Sequence, residues 1–191
     1  LGSGSLKRRR RSPRTLHQRG PRENIGPGQR YVILSNHASY LDPPALVLAL
    51  GLQYRWVIKK ELRKVPLFGL ALEASRNLFI DRSKGSDALE SIKRGVGQLP
   101  DGTGILIFPE GTRSWDGKLL PFKKGGFDIA QDGELPILPV TICGSHQRLP
   151  KGSAAFSSGD IEIVIHPPMA SGALPLDDLM TDVRNSIASS L

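Results

Sequence analysis

Strand-like apolar runs alternate with helix-like segments along this chain, and that alternation narrows the folds open to it more than any other feature. Strands are predicted over 30–34, 53–58, 78–80, 104–108, 137–142 and 161–166. Between them, helices are predicted over 43–50, near 66–74, over 87–99 and over 125–131, with a helical turn at 59–62 and a closing helix over 176–190. The segment 87–99 carries the clearest helical signal. Asp87 and Glu90 make a start like a capping box, and Leu89, Ile92, Val96 and Leu99 form one stripe. In the closing helix Leu176, Leu179, Val183 and Ile187 share a face. Strands separated by helices are joined by crossovers rather than hairpins. The expected fold is therefore α/β: a single domain with a central, mostly parallel mixed sheet flanked by helices.

That domain is expected to occupy residues 23–191, a length that suits one core. Residues 1–22, rich in Arg, Ser, Gly and Pro, read as a basic, disordered arm. The net charge of +8 lies wholly in residues 1–30, where Lys7, Arg8–Arg11, Arg14, Arg19, Arg22 and Arg30 face Glu23 alone. Such an arm suits anionic lipid head groups or nucleic acid, or it is a solvated tail. The opening Leu1-Gly2-Ser3-Gly4-Ser5, without methionine, fits a truncated or tag-derived start. No apolar run approaches the roughly 20 residues that a spanning helix needs, and no apolar core follows the basic start as in a signal peptide. Cys143, the one cysteine, excludes an internal disulfide and reads as a buried, inert thiol. The four histidines show no metal-ligand spacing, and no metal is expected.

The predicted strand 30–34 runs into Asn36-His37-Ala38-Ser39-Tyr40-Leu41-Asp42. His37 and Asp42 are five residues apart, a spacing that no regular element turns into a contact. Five helical steps rotate by about 140°, and five strand steps end on the opposite face. A contact requires a turn, and Asp42-Pro43 supplies one as a helix N-cap followed by proline at the first helical position. If the two meet, the carboxylate fixes the imidazole tautomer and the other ring nitrogen is free to take a proton. Otherwise Asp42 merely caps a helix and His37 is a surface histidine. Ser39 makes a poor nucleophile, lacking the glycines of a nucleophile elbow on either side.

A second constellation, Phe108-Pro109-Glu110-Gly111-Thr112-Arg113-Ser114, follows the predicted strand 104–108, and strand C-termini are where α/β sheets place ligands. Gly111 permits close backbone approach. Arg113 offers a fork for phosphate or carboxylate. Glu110 could accept from a substrate hydroxyl or hold Arg113. Arg82 closes Phe79-Ile80-Asp81-Arg82 after another strand, and Lys59-Lys60 and Lys123-Lys124 flank these loops. Taken singly, these charges are better read as exposed loop pairs worth ~0–1 kcal/mol. Trp115 reads as a core residue, with an interfacial anchor as the alternative.

In this order and spacing the blocks resemble those of the PlsC-like glycerolipid acyltransferase family: Asn36-His37 through Asp42, Phe79–Arg82, Phe108–Ser114 and Leu138-Pro139-Val140. Lys59-Lys60-Glu61-Leu62, Pro66-Leu67-Phe68-Gly69 and Pro121-Phe122-Lys123-Lys124-Gly125 also match family text, so the likeness runs over residues 22–191. It departs at Arg76, where the family's second block usually opens on glycine, and at the N-terminus, where many members carry hydrophobic helices and this chain shows the basic arm.

The resemblance implies transfer of an acyl group from a thioester, acyl-CoA or acyl-carrier protein (acyl-ACP), to the free hydroxyl of lysophosphatidic acid, making phosphatidic acid. His37 and Asp42 would be catalytic. Arg82 and Arg113, with Lys59, would hold the acceptor phosphate, and Glu110, Gly111 and Thr112 would shape its glycerol side. No cofactor beyond the thioester is implied. The expected location is peripheral, on an anionic membrane surface at the cytoplasmic face, and nucleic acid is not an expected partner. The alternatives are another acceptor, such as glycerol-3-phosphate or a different lysolipid, and a non-catalytic binder of anionic lipid or nucleic acid.

Overall fold

The computed structural model describes residues 16–19, 25–81 and 86–191. Among them one seven-stranded sheet has the order β1-β7-β6-β2-β5-β3-β4. The strands are β1 (Leu16–Arg19), β2 (Val32–Ser35), β3 (Tyr54–Lys59), β4 (Leu78–Ile80), β5 (Gly104–Ile107), β6 (Ile137–Cys143) and β7 (Ile161–Ile165). Every pairing is parallel except β6 with β7. The expected α/β fold with a mostly parallel mixed sheet is the one observed.

β2 lies at the centre, and all four of its residues are buried. Strand alternation sends its side chains into two cores. Ile33 joins Leu106, Leu138, Val140, Ile142, Ile163 and Ile165 beneath helix α1 (Asp42–Leu50), which contributes Ala45, Leu46, Ala49 and Leu50. Val32 and Leu34 join Ile105 and Ile137 beneath α3 (Ser86–Gly97), α4 (Gly125–Asp132) and α6 (Leu176–Ala188). From these helices come Ile92 and Val96, then Phe127 and Ile129, then Leu179, Val183 and Ile187. Burying one such aliphatic side chain contributes about 1.5–3 kcal/mol. Both faces of β2 are thus covered, as a parallel sheet requires.

Two short elements were not expected. β1 lies within the arm predicted to be disordered. Its pairing with β7 and the packing of Leu16 against the first core offset the cost of ordering those four residues, so the prediction fails there. The rest of the arm, and Arg82, lie outside the described residues. Helix α5 (Ser145–Arg148) is a single turn after β6. The apolar segment near 66–74 forms α2 (Phe68–Ala74), preceded by a 3₁₀ turn at Lys60–Lys64.

Candidate active site

The C-terminal ends of β2, β5, β3 and β4 share one edge of the sheet, because the four strands are mutually parallel. Residues 36–42 leave β2 there and residues 108–114 leave β5. Asn36 stitches the first loop to β6: its side-chain nitrogen donates to Ile142 O at 2.9 Å, and its oxygen accepts from Ile142 N at 2.7 Å. The amide thereby continues the backbone ladder one step past the end of β2.

Asp42 organises the turn. Its Oδ2 accepts from His37 Nδ1, Ala38 N and Ser39 N, each at 2.8 Å. The expected N-cap role is not what forms. Leu41 is the N-cap and Asp42 the first helical residue, with Pro43 second, where no amide hydrogen is needed. The carboxylate turns away from its own helix and back over the loop. An oxygen that accepts two amide hydrogens acts as acceptor to the ring as well. Nδ1 therefore carries the imidazole proton and Nε2 the lone pair.

Three further contacts fix the histidine. Its ring stacks on Phe108 with centroids 3.9 Å apart and planes 7° from parallel. Its amide donates to Glu110 Oε1 at 2.7 Å, and its carbonyl accepts from Ser114 N at 2.9 Å. Glu110 is 3% exposed, and its Oε2 accepts from Leu120 N at 2.9 Å. Burial pushes the Glu110 carboxyl up to about 7, although both amide bonds and the charge of Arg184 oppose the shift. Glu110 thus pins the His37 backbone, and each of its oxygens accepts one backbone amide hydrogen.

The other predicted binding residues lie in different settings. Gly111 has φ +72°, and the Lys123 amine lies 3.1 Å from where its Cβ would stand, so the space beside it is filled by that side chain. Thr112 is exposed. The Arg113 guanidinium lies 3.4 Å from the centroid of the Tyr40 ring, and its Nη1 is buried with no hydrogen-bond partner. Lys59, at the end of β3, is exposed and faces Glu61 at 3.7 Å. Trp115 is 68% exposed, not a core residue. Ser39 is fully buried, and its hydroxyl donates to Leu149 O while accepting from Leu41 N. It is not placed to act as a nucleophile.

Sequence reasoning missed the Asn36 amide ladder, the Phe108 stack and the Tyr40 platform. The first had a signal: a side-chain amide directly after an apolar strand and before a turn. The two ring contacts join segments far apart in the chain and left no local pattern.

The profile of the family described as Acyltransferase matches residues 17–143. The chain is 35% identical over 161 residues to the chloroplastic 1-acyl-sn-glycerol-3-phosphate acyltransferase BAT2 of Brassica napus, covering 84% of this chain and 46% of that protein. It is 34% identical over 166 residues to human 1-acyl-sn-glycerol-3-phosphate acyltransferase alpha, covering 84% and 58%. The chain therefore spans about half the length of these relatives. Its fold matches the crystal structure of the 1-acyl-sn-glycerophosphate (LPA) acyltransferase PlsC from Thermotoga maritima with a TM-score of 0.80 and 29% identity, over 92% of this chain and 70% of that one. Matched by the family profile over more than half its length, the chain belongs to the acyltransferase family, among its PlsC-like glycerolipid members.

Proposed function

We propose that this chain transfers a fatty acyl group from a thioester, acyl-CoA or acyl-ACP, to the free hydroxyl of 1-acyl-sn-glycerol-3-phosphate. The observation that carries this reading is the His37–Asp42 pair at 2.8 Å, with Nδ1 protonated and Nε2 left as the base. Nε2 takes the proton of the acceptor hydroxyl as its oxygen attacks the thioester carbonyl, and Asp42 stabilises the imidazolium. The tetrahedral intermediate collapses with loss of the thiolate, to which the imidazolium returns the proton. The acceptor alcohol is itself the nucleophile, so no acyl-enzyme is needed, in keeping with the buried hydroxyl of Ser39. Arg113, with an unsatisfied Nη1, is the phosphate fork, and Lys59 and Arg82 are further candidates for that charge. Thr112 and Gly111 line the same loop.

The names of the relatives support lysophosphatidic acid as acceptor. No described helix is long and apolar enough to cross a membrane. Exposed Leu62, Val65, Leu67 and Leu70, set beside Lys60, Arg63 and Lys64, suit contact with an anionic membrane surface. The test is thiol release from acyl-CoA with and without lysophosphatidic acid. His37→Ala is expected to abolish the acceptor-dependent part while the chain still folds and unfolds in one cooperative transition. Retention of more than about a tenth of wild-type turnover would remove His37 as the base.

A further inference from the structure

Residues 111–113 are ringed by positive charge that no carboxylate among the described residues pairs with. Lys59, Lys60, Lys93, Lys118 and Lys124 each face a carboxylate. Arg113, Lys123 and Lys151 form no ion pair among the described residues. Lys151 is the unexpected member, since it follows α5 and belongs to none of the motif segments. Its Nζ donates to Arg113 O at 2.8 Å and to Thr112 Oγ1 at 3.3 Å, and lies 4.5 Å from the centroid of the Trp115 ring. A carbonyl and a hydroxyl orient an ammonium without cancelling its charge, and one of its three N–H donors is left over.

The loop that carries Lys151 is firmly seated. Ser39 forms a β-bridge with Pro150, and its hydroxyl bonds to Leu149 O at 2.8 Å, tying this loop to the His37 turn. Next to Lys151, Gly152 has φ +82°, and a Cβ there would stand 2.9 Å from the Trp115 indole, so the chain passes directly against that ring. Two cations, each on an aromatic face, therefore flank Thr112: its neighbour Arg113 on Tyr40, and Lys151, 38 residues further on, on Trp115.

We propose that Lys151 is a phosphate ligand of this site and works beside Arg113 on a phosphorylated substrate. The proposal rests on the transferase reading for the identity of that substrate, but not for the existence of the site. The phosphate comes from one of two sources, the monoester of the acceptor or the phosphates of coenzyme A on the donor.

Calorimetric titration of the full chain distinguishes them, using wild type, Lys151→Gln and Lys151→Arg. The ligands are short-chain (hexanoyl) lysophosphatidic acid, its phosphate-free counterpart monohexanoylglycerol, coenzyme A, and phosphate-free pantetheine. Lys151→Gln is expected to weaken one of the two phosphorylated ligands about tenfold. Lys151→Arg should stay within about threefold of wild type, and the phosphate-free ligands should be unaffected. Loss with lysophosphatidic acid assigns Lys151 to the acceptor, and loss with coenzyme A to the donor. The proposal fails if Lys151→Gln binds both phosphorylated ligands within about twofold of wild type. It also fails if the phosphate-free ligands weaken equally, or if wild type binds neither phosphorylated ligand. Thiol release on the same proteins tests the other reading separately: a wild type that binds phosphate through Lys151 yet transfers no acyl group refutes the transferase and keeps the phosphate site.

Discussion

At the scale of single residues, one carboxylate oxygen sets the geometry of the site. Asp42 Oδ2 fixes the His37 tautomer and, through Ala38 N and Ser39 N, the turn that brings His37 back to it. Glu110 then couples this turn to the segment after β5, and it carries a pH signature. Its folded carboxyl titrates at about 7 against an ordinary 4.5, so between those values the folded chain holds a proton that the unfolded chain has lost. The contribution of Glu110 to stability is complete below 4.5 and is lost as pH rises to about 7. In urea unfolding, the advantage of wild type over Glu110→Gln is expected to shrink between pH 5 and pH 8. A difference that does not change with pH would mean that Glu110 is ionised throughout. Spacing alone left the His37–Asp42 contact and a simple helix cap equally open, because no helix or strand makes that contact, and the order of the motif blocks decided for the contact. The burial of Glu110 and its hold on the His37 backbone were not legible, because they depend on the turn against which it packs, which sequence does not display.

At the scale of elements, α2 explains the departure at Arg76. Ser75 caps the helix, Arg76 follows with φ +53°, and its amide bonds to Glu73 O at 2.8 Å. A residue at that position adopts the left-handed conformation that glycine enters without steric cost, which accounts for the glycine usual in the family. Arg76→Gly is therefore expected to stabilise the protein by about 1 kcal/mol, read from the thermal or urea midpoint. An unchanged or lowered midpoint would show that the arginine side chain compensates through contacts of its own. The long amphipathic elements were legible. Ile92 and Val96 in α3, and Leu179, Val183 and Ile187 in α6, are buried as their spacing predicts. β1 and α5 were not, because four residues set no periodicity and both exist by virtue of the strands beside them.

At the scale of the whole molecule, the active-site edge belongs to no single stretch of chain. It assembles only when strands from both halves of the sequence stand side by side, so its architecture was legible as a class of fold but its contacts were not. Leu67 and Leu70 are 82% and 67% exposed, which is unusual for an apolar pair on a helix start and suits a lipid surface. Replacing both by serine is expected to abolish most sedimentation with vesicles containing anionic lipid while leaving the melting curve unchanged. Undiminished sedimentation would assign membrane attachment to another part of the chain. The central position of β2 has a further consequence, for the chain as it is made. Its neighbours begin only at Gly104 and Ile137. At roughly 5–20 residues per second, ribosomal synthesis leaves the apolar Val32–Ser35 segment without its partners for several seconds. A nascent chain of this fold spends that interval with its stickiest strand exposed, which makes early β2 a natural client for a chaperone and the first place to look when the protein aggregates on expression.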